Sequence, residues 1–360
     1  MKIAVAMSGG VDSSTAAYLL KSQGHEVVGL SMQMYDNLAH ADSTYGGCCT
    51  IDDLTDAKRV AWKLEIPHFT LNMESGFHEK VVAPFVRSYL AGTTPSPCVL
   101  CNTHVKFDLF HRKAQAIGAD KIATGHYARI TRDAGGRFEL RKALDLAKDQ
   151  TYFLFELSQE QLSEALFPLG ELTKPEVRAI AEEGGLSVAR KKESYEICFV
   201  PQKDGYASIV EREAGIAPGE GAGEIVDIDG NVIGRHDGYY HFTIGQRRGI
   251  DVGGSAERMY VIDVNPFTKR VTTGPASALE KQELIAEHVH WIGERPSGPI
   301  EAQARVRSRM ADVAATITPL DGDRASVVFA HKLRAIAPGQ AVVFYHDDLC
   351  LGGGWIARNA

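Results

Sequence analysis

The string Ser8-Gly9-Gly10-Val11-Asp12-Ser13-Ser14 constrains this chain more than any other part of it, because it joins the apolar run Lys2 to Ala6 to the amphipathic run Ser13 to Gln23. A strand that turns through two glycines into a helix points its backbone N–H groups outward at the positive end of the helix macrodipole, which makes an anion cradle. Gly9 and Gly10 let the chain turn without a Cβ in the way, and the hydroxyls of Ser8, Ser13 and Ser14 add donors for phosphate oxygens. The placement fits pyrophosphate, with Ala6, Met7 and Val11 completing the turn. A lone Gly-Gly turn also serves as plain structure, and Asp12 also reads as a first-turn acid favouring the dipole. The segment matches neither G-x-x-x-x-G-K-[ST] nor G-x-G-x-x-G.

The first ~130 residues alternate short apolar runs with longer amphipathic ones, the pattern of β-α units around a doubly wound parallel sheet. Strands are expected at 2–6, 26–31, 68–72 and 121–124, and helices at 13–23, 52–64, 77–90 and 105–117. Met32, at the end of the second strand, and Gly125-His126, after the strand at 121–124, fall on the edge where such sheets bind ligands. Both are equally compatible with core roles. From Pro201 onward closely spaced glycines interrupt short strand-like runs such as 223–228, which predicts a small β-rich domain over 201–273. Alternating segments at 304–310, 325–329 and 341–345 predict a C-terminal β-barrel over 274–360. At 360 residues the chain is longer than one core usually organises.

A net charge of −7 excludes a uniformly basic nucleic-acid coat but leaves room for a local basic stripe. Arg305, Arg307 and Arg309 stand at period two, which on a strand puts them on one face as a phosphate-binding stripe or as an ordinary solvated face. Arg247-Arg248 would extend it. No apolar run approaches the ~20 residues of a membrane span. The N-terminus enters a strand directly with no signal-peptide pattern, so a cytoplasmic location is expected.

The cysteines are Cys48, Cys49, Cys98, Cys101, Cys198 and Cys350. In Pro95-Ser96-Pro97-Cys98-Val99-Leu100-Cys101-Asn102, Ser96 is a natural helix cap and Pro97 a natural first helical residue. Cys98 and Cys101 then fall in the first turns of one helix face, where the dipole favours thiolate. A zinc knuckle or two buried small residues are the plainer readings, and no second C-x-x-C supplies further zinc ligands. Cys198, among Ile197, Phe199 and Val200, reads in isolation as a core residue. Cys350 reads as a buried strand residue, and Cys48-Cys49 lie in a glycine-containing loop.

The glycine string resembles the PP-loop of the N-type ATP pyrophosphatases, which cleave ATP between the α and β phosphates and adenylate a substrate oxygen. Further motifs follow in one order: Pro97-Cys98-Val99-Leu100-Cys101-Asn102 with Lys106-Phe107, Gly125-His126-Tyr127-Ala128-Arg129, Lys148-Asp149-Gln150-Thr151-Tyr152-Phe153-Leu154, Ser194-Tyr195-Glu196-Ile197-Cys198-Phe199, and His241-Phe242-Thr243-Ile244-Gly245-Gln246-Arg247-Arg248-Gly249. Together they resemble the bacterial tRNA-specific 2-thiouridylase family (MnmA/TrmU) across essentially the whole chain.

The resemblance implies a PP-loop catalytic domain over 1–200, the central β-rich domain, and a tRNA-binding C-terminal barrel. It implies that ATP, with Mg²⁺, adenylates the C2 oxygen of the wobble uridine in tRNAs for Lys, Glu and Gln. A carbonyl oxygen is a poor leaving group and AMP a good one, so sulfur then displaces AMP. Cys198 would carry a persulfide delivered by a sulfur donor or relay protein, and Cys101 would act as nucleophile or close a disulfide with it. ATP would sit on residues 6–13, Met32 and Gly125, with Asp12 positioning Mg²⁺ or phosphates. His126, Lys148, Asp149 and Gln150 would contact tRNA, and Gln340 would lie near the anticodon stem. Cys98 stands where many members carry an aspartate. With Cys101 and Cys198 it resembles the three-cysteine set with which related tRNA thiolases hold a [4Fe–4S] cluster, the alternative to persulfide chemistry.

Overall fold

The computed structural model describes residues 1–35, 50–193, 197–201, 203, 205–250 and 258–358. Cys48, Cys49, Ser194, Tyr195 and Glu196 lie outside them. Two compact units divide the chain: residues 1–81, 97–203 and 347–351 form the first, and residues 82–96, 204–346 and 352–360 the second.

The first unit is built on a five-stranded sheet in the order β3-β2-β1-β4-β7, parallel at every pairing. Its elements begin with β1 (Lys2–Ala6), α1 (Val11–Ser22), β2 (Glu26–Gln33), α2 (Ile51–Lys63), β3 (His68–Asn72) and the short α3 (Glu74–Phe77). Val27, Val28 and Leu30 of β2 are buried, as are Ile3, Ala4 and Val5 of β1, so both strands read as continuous apolar runs rather than alternating ones. α2 starts at Thr50, whose Oγ1 accepts from Asp53 N–H while Asp53 accepts from Thr50 N–H, a reciprocal cap. The expected helix at 77–90 is broken up: α3 is followed by a π-helical turn at His78–Val82 and then by α4 (Ala83–Leu90), which belongs to the second unit.

The expected helix at 105–117 starts eight residues earlier, at Pro97: α5 (Pro97–Leu100) runs into a π-helical stretch, Cys101–Leu109, and on into α6 (Phe110–Ala116). A π stretch widens the turn and shifts the buried side from the 3.6-residue repeat on which sequence reading depends, here to Cys101, Asn102, Val105 and Phe107. β4 (Lys121–Ala123), the antiparallel hairpin of β5 (Ala128–Arg132) and β6 (Phe138–Lys142), α7 (Gln159–Glu164), β7 (Ala165–Leu166) and α8 (Lys174–Glu183) complete this unit. Strand order reverses about β1, with β2 on one side and β4 on the other, and the crevice at their carboxyl ends is where such sheets take ligands.

In the second unit α4 packs with α9 (Gly205–Ala214), and Tyr89 stacks on Tyr206 with ring centroids 4.3 Å apart. β8 (Gly223–Val226), β9 (Val232–His236), β10 (Tyr260–Asn265) and β11 (Arg270–Gly274) form a four-stranded sheet in the order β10-β11-β8-β9. The barrel takes β12 (Glu280–Trp291), β13 (Ile300–Arg305), β14 (Val313–Leu320), β15 (Arg324–Arg334), β16 (Ala341–His346) and β17 (Leu349–Ile356), whose residues from Gly352 belong to this unit. The order β12-β15-β14-β13-β16-β17 closes through β12–β17, which removes the open edges a flat sheet would leave.

The strand expected at 304–310 ends at Arg305; residues 306–310 form a bend and a turn, in which Met310 N–H bonds Arg307 C=O. The arginines at period two therefore do not share a strand face. Arg305 is buried and turned inward, its Nε 2.8 Å from Asp312 and its guanidinium 5.1 Å from the Tyr345 ring centroid, while Arg307 and Arg309 are exposed on the turn. Among the described residues no helix is long and apolar enough to cross a membrane.

Candidate active site

The glycine loop leaves β1 and enters α1 at the reversal of strand order. Gly9 has φ +73°, and a Cβ there would lie 2.1 Å from Asp53 C=O at the start of α2, so both the dihedral and the packing demand glycine. Gly125 meets the loop from the end of β4: a Cβ on it would stand 2.6 Å from Ser13 N. Inside the loop Ser13 Oγ accepts from Ser8 N–H at 3.1 Å and pairs with Ser8 Oγ at 3.2 Å. Ser14 Oγ is buried without a hydrogen-bond partner among the described residues. Ala6, Met7, Val11 and Met32 are buried around the loop's base, while Ser8 and Gly10 retain exposure.

Asp12 is held by two partners that the sequence does not announce. Tyr127 donates its hydroxyl to Asp12 Oδ1 at 2.8 Å, and Lys174 Nζ lies 2.7 and 2.8 Å from the two carboxylate oxygens. Burial first, then the Asp12 charge, push the Tyr127 hydroxyl far above the ordinary phenol range, so it stays a proton donor. Lys174 also meets Glu193 Oε1 at 2.7 Å, and Glu193 Oε2 meets Lys148 Nζ at 2.6 Å. Behind the loop Lys191 bonds Gly9 C=O at 3.1 Å, Asp53 at 2.7 Å and Asp56 at 2.6 Å. Burial works against the Lys191 charge, but the two carboxylates outweigh it and the net shift is upward. Thr173-Lys174-Pro175-Glu176 does carry a visible helix-start pattern, with Glu176 accepting from Thr173 N–H, yet nothing in it shows that the lysine would turn inward.

The cysteines differ sharply in environment. Cys98 is exposed on α5 and Cys101 is buried where the helix widens, so the one-face arrangement expected for them is not what forms. Asn102 Nδ2 donates to Phe153 C=O at 2.9 Å. Cys198 is half-buried; its carbonyl accepts from the Tyr35 hydroxyl at 2.8 Å, and the next residue, Phe199, packs edge-on against Phe77 of α3 at 5.6 Å. Gly76, also on α3, sits so close to Leu109 that a Cβ would come within 2.5 Å of it. α3 thus packs against both cysteine-bearing segments. Among the described residues no group of three His, Cys, Asp or Glu side chains comes together as a metal site.

The residues expected to meet tRNA are largely occupied inside the protein. His126 is buried, its Nδ1 2.6 Å from Thr124 Oγ1 and its ring 5.9 Å from those of Phe107 and Phe167. Burial, with help from Lys106, holds its pKa well below the usual histidine range, so its imidazole is neutral. Asp149 accepts from Thr151 Oγ1 at 2.8 Å, and Gln150 Oε1 accepts from Tyr127 N–H at 2.9 Å. In the second unit Gln340 Nε2 donates to Thr94 and Pro95 carbonyls at 3.1 and 2.7 Å, and Arg247 and Arg248 are exposed.

Comparison with known proteins agrees with this arrangement. Residues 1–202 match the tRNA methyl transferase HUP domain family, residues 216–275 its PRC-barrel domain, and residues 281–356 the aminomethyltransferase beta-barrel domain. The tRNA-specific 2-thiouridylase MnmA of Geotalea uraniireducens is 50% identical over 99% of this chain and 94% of its own. The protein of the same name from Solibacter usitatus is 49% identical over 98% of each chain. That of Clostridium perfringens is 45% identical over 99% of this chain and 98% of its own. With the glycine loop, its paired acid and the cysteine segments in one parallel-sheet unit, and with relatives of this identity along nearly its whole length, the chain belongs to the tRNA-specific 2-thiouridylase MnmA family.

Proposed function

We propose that this chain is an ATP-dependent tRNA-uridine 2-sulfurtransferase that converts the wobble uridine of tRNAs for Lys, Glu and Gln to 2-thiouridine, releasing AMP and pyrophosphate. The observation that carries the reading is identity of 45–50% over nearly the full length to proteins of that name. Residues 1–200 would do the chemistry, and the barrel over 274–360, joined to them by the small domain over 201–273, would bind the tRNA.

ATP phosphates would lie on the backbone N–H groups of the loop Ser8 to Ser13, with Gly125 leaving room beside Ser13. Mg²⁺ needs only one or two protein carboxylates when it is bound with phosphates, and Asp12 is the acid at the loop. The uridine C2 oxygen attacks the α-phosphorus and pyrophosphate leaves. A persulfide on Cys198 then attacks C2 through its outer sulfur, and AMP departs with the former carbonyl oxygen. Cys101 thiolate attacks the Cys198 sulfur, which breaks the S–S bond to the base, leaves 2-thiouridine and forms a Cys101–Cys198 disulfide. A small thiol or thiol-containing relay protein returns that disulfide to two thiols. Burial of Cys101 shields its thiol from stray oxidants until the substrate is in place. The tRNA substrate suits a cytoplasmic enzyme.

Mass spectrometry of tRNA from a strain lacking this protein tests the reading: loss of the 2-thio group from wobble uridines is expected, and its retention overturns the proposal. A PP-loop synthetase acting on a small carboxylate would instead exchange pyrophosphate into ATP without tRNA, whereas tRNA-dependent exchange is expected here.

A further inference from the structure

A buried ammonium joins the glycine loop to Glu193, which precedes Cys198 in the sequence. Lys174 Nζ has three N–H donors, and three carboxylate oxygens lie within 2.8 Å of it: both of Asp12 and one of Glu193. Its side chain is about 10% exposed. Glu193 stands five residues before Cys198 in the sequence and shares its other oxygen with Lys148. The donors of Lys174 are thus fully committed, and an anion arriving at the loop can recruit this ammonium only by displacing one of its carboxylates. Asp12 grips it with two oxygens and is itself fixed by Tyr127, whereas Glu193 offers one oxygen and has Lys148 as a second cation. Glu193 is the partner that gives way.

We propose that Lys174 is a positioning residue that couples nucleotide at the glycine loop to the reactivity of Cys198, exchanging Glu193 for a phosphate oxygen when ATP binds and returning to it when pyrophosphate leaves. The inference rests on the nucleotide reading given above and extends it. Sulfur transfer before adenylation would waste the persulfide, and a shared ammonium ties the two events together without a direct contact between phosphate and thiol. Glu193 stands on the same stretch of sequence as Cys198, so its exchange for phosphate is the event through which a filled loop raises the reactivity of the thiol.

The experiment measures the rate at which iodoacetamide labels Cys198 in the full-length chain, by peptide mass spectrometry, with and without α,β-methylene-ATP, which resists cleavage at the α–β position. Exposed Cys98 supplies the reference rate, and equilibrium dialysis measures binding of the analogue independently. The wild-type protein is expected to label at Cys198 about fivefold or more faster with the analogue, the low end of ordinary coupling between sites. The isosteric Glu193→Gln is expected to label fast with or without it and to bind the analogue more tightly. If the analogue binds but Cys198 labelling stays unchanged or slows, or if Glu193→Gln keeps the full nucleotide response, the coupling is wrong. If the analogue does not bind at all, the nucleotide reading itself fails.

Discussion

Among the buried cations of the described residues, Lys174 in the first unit and Arg305 in the second are satisfied in opposite ways. Lys174 and Arg305 are both about 8% exposed. Arg305 has an aspartate, Asp312, at 2.8 Å and the face of Tyr345 beside it, a pairing in which the charges match one for one. Lys174 faces two carboxylates belonging to separate segments, one of them on the glycine loop. A matched pair holds a barrel turn in place and has little to gain from a ligand. A cation with competing partners at the mouth of an anion cradle can trade one for a phosphate at small cost, because the carboxylate released keeps a second cation.

The contrast breaks most easily at Lys174. Lys174→Met removes the ammonium and leaves Asp12 and Glu193 facing one another across a buried space. The expected loss is about 100-fold in kcat/KM, ~2.7 kcal/mol, with a rise in KM for ATP accounting for much of it. Steady-state kinetics at varied ATP check this. A variant that binds ATP normally and loses only stability would put Lys174 in the same class as Arg305.

Arg305→Leu is the reciprocal test. It should lower barrel stability by roughly 1–3 kcal/mol, since Asp312 loses its charged partner but retains partial access to water. Affinity for tRNA should be unchanged, because the guanidinium is buried against Asp312 and the Tyr345 ring rather than presented to a backbone phosphate. Denaturant unfolding and filter binding measure the two quantities. A fall in RNA affinity without a fall in stability would restore Arg305 to the phosphate stripe.

The same contrast explains what could be read from the sequence. The glycine loop was legible because its function is a property of consecutive backbone atoms: a strand, a left-handed Gly9 and a helix start are all local, and the strand positions around β1 to β4 came out within a few residues. The arginine spacing was misleading because period two fixes a face only while the strand lasts, and this one ends at Arg305. Lys174, Glu193 and Tyr127 were invisible for a related reason. Lys174 and Tyr127 meet Asp12 across gaps of 162 and 115 residues, Glu193 joins them only through Lys174, and sequence separation of that kind leaves no pattern. The cysteine helix falls between these cases: Pro97 marked its start, but the π stretch at Cys101 moved one thiol inward and left the other outside.

A third buried group sharpens the comparison by carrying no charge at all. Burial, then the Lys106 charge, lower the His126 pKa in the folded state, so the unfolded chain binds the proton more readily. Stability from this group is present above the unfolded histidine pKa and is lost as pH falls through that value toward the lower folded one. The slope from one such proton is at most about 1.4 kcal/mol per pH unit. His126→Phe should flatten the stability profile below pH ~6.5, as followed by urea unfolding at several pH values. An unchanged profile would mean that His126 takes up its proton equally in both states.

The smallest effect is expected at Arg307, which the turn after β13 leaves exposed and anchored through Nη2 to the carbonyls of Arg334 and Ala335. Those two acceptors orient the guanidinium without neutralising it, so its charge remains available to a phosphate in a way that the charge of Arg305 is not. Arg307→Glu should weaken tRNA binding severalfold, ~1 kcal/mol, and lower the slope of log affinity against log salt by about one. Affinity measured over a range of salt separates this from an indirect effect on folding, which would weaken binding without changing the slope. If the slope is unaltered, the barrel turn is not part of the RNA surface and Arg307 shares with Arg305 a purely internal role.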